Sequence, residues 1–188
     1  MMLHLTSQHI RYISQELDAE RRTRDRNIRK EKSETFNKRG NRAFREGDLG
    51  KALTYYNQSI EQIKDNSLVY TARAMAYMNM NRFENAEEDC KLALKHDPNS
   101  IRAGLYMIKC YIYLNDRSYE SLIRELKYKN PDQSALIDEY VREVKGSLHA
   151  QLKLEHVEEH INSMPKREKK KPKVKEVSRV TKREMKRE

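Results

Sequence analysis

The pattern nearest to a metal or catalytic site is His156-Val157-Glu158-Glu159-His160, which spells H-x-x-E-H. On a helix its two imidazoles lie one turn apart and could share a zinc ion, with a carboxylate beside them as base. A hydrolytic zinc site also needs a third protein ligand, and only 28 residues follow His160, in a Lys/Arg-rich tail. The pattern is read as a solvated helical face. His4, His9, His96 and His149 stand at no ligand spacing. Cys90 and Cys110 sit among helix-patterned apolar residues and read as small, reduced core residues rather than nucleophiles. No phosphate-cradling glycine loop, nucleophile elbow or C-x-x-C is spelled anywhere. The expectation is a chain with no catalytic residue, no metal and no cofactor.

Phosphate binding is the other chemistry the composition invites, because the net charge is +10. That charge is unevenly placed. Residues 1–46 carry 12 basic and 7 acidic side chains, residues 47–164 carry 15 and 18, and residues 165–188 carry 12 and 4. A slightly acidic body thus lies between two basic flanks. Lys169-Lys170-Lys171-Pro172-Lys173 is similar to a nuclear-import or nucleic-acid patch, against the plainer reading of a solubilising disordered tail. The N-terminal arginines Arg21, Arg22, Arg24, Arg26 and Arg29 are interleaved with Glu16, Asp18, Glu20, Asp25 and Glu31. That mixture favours an exposed helix with ion pairs three or four residues apart over a nucleic-acid stripe. Upstream, Leu3, Ile10, Ile13 and Leu17 make a narrow apolar stripe, a short coiled-coil-like seam for the body or for a partner helix. The mean hydropathy of −1.04 and the lack of a long apolar run leave no membrane span. With no basic-then-apolar leader at the N-terminus, the expected location is the cytoplasm, with nuclear import through the basic tail as an option.

The elements that hold these residues follow from internal self-similarity at a spacing of 34. Leu49 meets Phe83, Ala52 meets Ala86, Tyr56 meets Cys90, Ser59 meets Ala93, Ile60 meets Leu94, and Tyr77 meets Tyr111. Small residues recur where two helices must approach closely, and large apolar ones recur where a gap must be filled. Each unit reads as a helix pair. Ser33–Glu46 is stopped by Gly47-Asp48 and followed by Leu49–Lys64; Ser67–Met80 is followed by Arg82–His96 and the terminator Asp97-Pro98. A third first-helix runs from Asn99 or Ser100 to about Leu114. Its partner, Tyr119–Tyr128, is out of step, since Glu120, Arg124 and Lys127 fall where small or apolar residues are due. A one-residue deletion near Asn115-Asp116 restores Tyr119, Ile123 and Leu126 to the inner face. The fold class is therefore all-α. A charged helix (1–32) precedes three helix-turn-helix repeats (33–66, 67–100, 101–131), a capping helix (132–163) and a basic disordered tail (164–188). In the cap, Ile137, Tyr140, Val141, Val144 and Leu148 cover the last repeat, and Gly146 is a candidate bend.

FNKRGNRAFREGDLGKALTYYNQSI (36–60) and TARAMAYMNMNRFENAEEDCKLALKHDP (71–98) resemble the first two units of the tetratricopeptide-repeat (TPR) modules of co-chaperones. The resemblance implies an α-solenoid whose first helices line a groove, which in many co-chaperones holds the acidic C-terminus of a heat-shock chaperone. Its carboxylate clamp carries over to Asn37, Asn41, Ala72, Arg102 and Tyr106, where the family pattern has Lys, Asn, Asn, Lys and Arg. Asn41 matches, Arg102 is a basic replacement, and the other three depart. The alternative is a groove for another peptide, with Met75, Met78, Leu105 and Tyr106 as adaptable contacts. The groove residues expected on this basis are Asn37, Asn41, Met75, Arg102, Tyr106 and Lys109.

ELDAERRTRDRNIRKEKSETFNKRGNRAF (16–44), a charged helix running straight into the first repeat, is similar to the TPR part of proteins implicated in cytoplasmic preassembly of ciliary dynein arms. The segments YTARAMAYMNMNRFENAEEDCKLALK (70–95) and RELKYKNPDQSALIDEYVREV (124–144) share that character. This resemblance implies a non-enzymatic, co-chaperone-like adaptor with protein partners, heat-shock chaperones or dynein subunits among them. Nucleic acid and membrane are not expected partners, and the oligomeric state stays open. The alternative is a nuclear or RNA-associated TPR protein using its basic flanks, which predicts steeply salt-dependent binding.

Overall fold

Each helix hairpin turns on a residue that tolerates positive φ. In the computed structural model of the chain, which describes residues 2–163, these residues are Gly47 (φ 82°), Asn81 (φ 56°) and Asn115 (φ 56°), spaced by 34. Glycine has no Cβ to clash there, and asparagine is among the few others that enter the left-handed region. All three turns carry the same pair of hydrogen bonds. The N–H of Asp48, Arg82 and Asp116 donates to the carbonyl five residues earlier, and that of Gly47, Asn81 and Asn115 donates to the carbonyl three residues earlier. This is the Schellman closure of a helix C-terminus.

The helices so delimited are α1 (Met2–Arg45), α2 (Leu49–Gln62), α3 (Ser67–Asn79), α4 (Phe83–His96), α5 (Ile101–Tyr113), α6 (Tyr119–Lys129) and α7 (Ser134–Ser163), with a 3₁₀ turn at Pro131–Gln133. No strand occurs among the described residues. From α1 to α6 successive helices pack as antiparallel neighbours, and α1, α3 and α5 also lie side by side, so the first helices of the repeats share one face. Asp48 caps α2 by accepting from Lys51 N–H at 3.0 Å, and Asn66 caps α3 by accepting from Leu68 N–H at 3.1 Å.

The charged N-terminal helix and the first helix of repeat one are a single helix of 44 residues. Ser33 anchors its packed end. The Ser33 and Ser59 hydroxyls lie 2.8 Å apart, Ser33 Oγ donates to the Ser59 carbonyl (3.0 Å), and Ser59 Oγ donates to the Ser33 carbonyl (2.7 Å). From His9 to Lys32 the helix is solvated. Ile10, Ile13 and Leu17 are 67%, 43% and 59% exposed, so this stripe does not dock on the repeats. The side chain of Leu3, the fourth member of the stripe, lies outside the described residues. Of the ion pairs expected in the N-terminal helix, Arg21–Asp18 (3.0 Å) forms; Arg26 reaches Asp65 (3.4 Å) beyond α2, and Arg42 pairs with Glu46 (2.8 Å) in the packed end.

The core repeats at the same spacing as the turns. Ala52, Tyr56 and Ser59 of α2 and Ala86, Cys90 and Ala93 of α4 are all fully buried. Against Tyr56 lies Gly40, where a Cβ would come within 2.6 Å of the ring. In the third repeat Leu126 is buried while Glu120 and Arg124 face solvent, which is the register expected from a one-residue slip. The Schellman turn at Asn115 keeps the spacing of 34, so the slip lies beyond it, in the tight turn Asp116–Ser118 that precedes α6. Packing volumes compensate for the slip. Repeat two sets a large Tyr70 in a cluster with Ala93, whereas repeat three sets Gly104, 34 residues after Tyr70, against Leu126.

Contacts divide the chain into one unit ending at Val144 and a second beginning at Lys145, within α7. In the first unit Ile137, Val141 and Val144 are buried, the cap positions expected for them. In the second unit α7 continues helically through Gly146 to Ser163, so this glycine does not interrupt the helix; open space surrounds the place of its missing Cβ. Leu152 and Leu154 are exposed there. The basic segment 164–188, including Lys169–Lys173, lies outside the described residues, as does the side chain of His160.

Candidate peptide groove

The face shared by α1, α3 and α5 is where the repeat brings side chains of distant sequence together. Asn37 and Asn41 stand one turn apart on α1. Asn41 is exposed, and its Oδ1 accepts a 2.8 Å hydrogen bond from the hydroxyl of Tyr56. Burial pushes the Tyr56 phenol up to about 12. Asn37 turns its Oδ1 inward, where it is buried without a hydrogen-bonding partner. Both amides therefore leave the NH₂ end as the accessible one.

Across from α1, the middle of the face is apolar. Ala72 packs with the first core cluster and supplies no donor. Met75 on α3 and Tyr106 on α5 meet through an O–H···S contact of 3.2 Å, a bridge between two residues that sequence alone left as separate adaptable contacts. Arg102 is exposed one turn before Tyr106, close enough for its charge to oppose the upward pull of burial on the Tyr106 hydroxyl. Lys109 stands two turns after Arg102 on the same helix. Its ammonium lies 5.8 Å above the Tyr113 ring, whose other neighbour is Phe83, stacked at 4.3 Å. Tyr140 of α7 comes near Tyr106, Cys110 and Tyr113, and burial raises its hydroxyl well above the usual range.

Set against a clamp for a carboxylate, the face provides one guanidinium and two neutral amide donors. A charge-assisted hydrogen bond is worth about twice a neutral one. The arrangement is suited to holding peptide oxygens, with less reward for a full negative charge than a clamp with three cations would give.

Two residues that the sequence did not place at the groove hold this face in shape. Tyr56 orients Asn41, and Arg73 locks α3 to its neighbours. The Arg73 guanidinium donates to both oxygens of Asp89 on α4 and, at 2.7 Å, to Asn57 Oδ1 on α2. Burial drives the Asp89 carboxyl upward despite this pairing. The sequence signal was a lone aspartate beside Cys90 on the inner face of an otherwise apolar stripe. Cys90 itself hydrogen-bonds Cys110, and this contact together with burial raises its thiol far above the reactive range. Among the described residues no three His, Cys, Asp or Glu side chains gather as a metal site, and no helix is long and apolar enough to cross a membrane.

Comparison with known proteins gives the same reading of the fold. Residues 67–100 match the family model of the tetratricopeptide repeat. Over 151 residues the chain is 30% identical to human tetratricopeptide repeat protein 12, covering 80% of this chain and 21% of that protein. It is 32% identical over 126 residues to mouse sperm-associated antigen 1, covering 63% of this chain and 14% of that protein. The chain thus spans about a fifth or less of the length of these relatives. Among solved structures it is similar to the second TPR of Spaghetti (RPAP3), bound to the HSP90 peptide SRMEEVD, with TM-score 0.55, 25% identity and coverage of 60% of this chain and 99% of that one. With three hairpins repeating every 34 residues on identical turns, the chain is a tetratricopeptide-repeat protein.

Proposed function

We propose that the chain is a non-enzymatic, co-chaperone-like adaptor that holds a peptide on the shared face of α1, α3 and α5 and acts in the cytoplasmic preassembly of axonemal dynein arms. The observation that carries the binding role is the orientation of Asn41, whose amide donor is fixed outward one turn from Asn37 while Arg102 stands exposed on α5. A structural relative binds the acidic peptide SRMEEVD in its own TPR domain, which makes a heat-shock chaperone tail the first candidate occupant here. The dynein-arm role rests on the charged helix that runs unbroken into repeat one, the feature shared with the resembling assembly proteins. Affinity capture with the full chain from ciliated tissue tests both. The expected result is recovery of heat-shock chaperones with dynein-arm subunits, and substitution of Asn41 and Arg102 by alanine removes the chaperones. Recovery of neither class contradicts the proposal.

A further inference from the structure

Tyr56 is wholly buried, yet its hydroxyl reaches the outward-facing helix through Asn41. A buried phenol must place its proton on an acceptor, and Asn41 Oδ1, at 2.8 Å, is that acceptor. The reverse amide orientation would turn NH₂ toward the phenol, strand the phenolic proton and expose Oδ1 instead. The ring cannot swing away, because it is packed against Gly40, where even a Cβ would meet it at 2.6 Å. Asn37, one turn earlier, is held the same way up for a different reason. Its inward Oδ1 is an unpaired acceptor, and turning the amide over would bury two unpaired donors in its place.

We propose that Tyr56, which touches no ligand, is the positioning residue that makes Asn41 meet a peptide oxygen only as a donor. This rests on the reading of the face as a peptide groove. The consequence is selectivity without charge: a carboxylate or carbonyl oxygen is accepted at Asn41, and a ligand N–H group is refused. Removing the phenolic oxygen leaves the ring, the packing and Asn41 in place but frees the amide to rotate, so only about half of the unbound population presents NH₂.

Calorimetric titration of the full chain with the peptide SRMEEVD tests this through a mutant cycle. The expected result is a loss of affinity of about twofold in Tyr56→Phe, because an amide free to take either orientation presents NH₂ about half the time. No further loss is expected when Tyr56→Phe is added to Asn41→Ala, and full additivity is expected with Arg102→Ala. A merely structural role would weaken binding equally in both backgrounds. An unchanged affinity in Tyr56→Phe, or a loss that persists in the Asn41→Ala background, overturns the inference while leaving the groove intact. Absence of binding by the unsubstituted chain, or an Asn41→Ala variant that binds as well, overturns the groove reading and this inference together.

Discussion

The Arg73 guanidinium grips the Asp89 carboxylate through two hydrogen bonds of 2.8 and 2.6 Å, with the arginine side chain 18% and the aspartate 3% exposed. With Asn57 as the third partner, one side chain of α3 ties together α2, α3 and α4. The tyrosines at positions 70 and 77 flank the guanidinium at 5.7 and 6.0 Å. Asp89→Ala leaves a half-desolvated cation without its counter-ion and is expected to cost about 3 kcal/mol. Replacing both partners with apolar residues of similar volume should cost clearly less than the two single changes summed. Urea denaturation of the three variants checks this.

Gly40 is fixed by contact. Gly40→Ala would set a methyl group 2.6 Å from the Tyr56 ring, which is buried on all sides. The gain in helix propensity, about 1 kcal/mol, is outweighed by overpacking of about 1–3 kcal/mol. The variant is expected to melt several degrees lower, measured by circular dichroism. Open space around Gly146 makes Gly146→Ala the control, expected to melt no lower.

Tyr56 also gives the fold an alkaline limit. An ordinary phenol ionises near 10.0, whereas burial holds Tyr56 at about 12. Between these values the unfolded chain binds fewer protons than the folded one, so stability from this residue is complete below pH 10 and is lost as pH rises toward 12. Tyr56→Phe should flatten the fall in urea midpoint between pH 10 and pH 12 relative to the unsubstituted chain. An unchanged slope would contradict this assignment.

Cys90 and Cys110 are buried and in contact, with the Cys90 thiol held in its protonated form. A thiol reagent should reach either cysteine only through global unfolding, so labelling should accelerate as urea lowers stability. Labelling followed by mass spectrometry at several urea concentrations reads this out.

The fold was legible in the sequence because its period is carried by local chemistry. Gly47, Asn81 and Asn115 are each at the corner that needs positive φ, and Ala52, Ala86 and Ala93 each stand where helices must touch. The slip in the third repeat could be read from Glu120 and Arg124, which cannot occupy an inner face, though its place beyond Asp116 required the turn geometry. The candidate groove was legible only in outline. Asn41 and Arg102 are named by the family pattern, but the partner that orients Asn41 is 15 residues away on the next helix, and Arg73 and Asp89 are 16 apart. Such pairs depend on the rotation of two helices about each other, which a periodicity of apolar residues leaves open. The same limit hides the neighbour of Lys109, whose helix position suggests a groove cation and whose ammonium lies 5.8 Å from the Tyr113 ring.

Peptide binding on the face of Asn41 and Arg102 is most directly tested by following the side-chain and backbone amides of the full chain by NMR during titration with SRMEEVD. The account predicts that the Asn41 side-chain NH₂ and the Arg102 signals shift together with Asn37, and that Asn41→Ala moves the response to several-fold higher peptide concentration. Shifts confined to the opposite side of the repeats, at the cleft between Leu94, Met107 and Leu126, or no shifts at all, would contradict it.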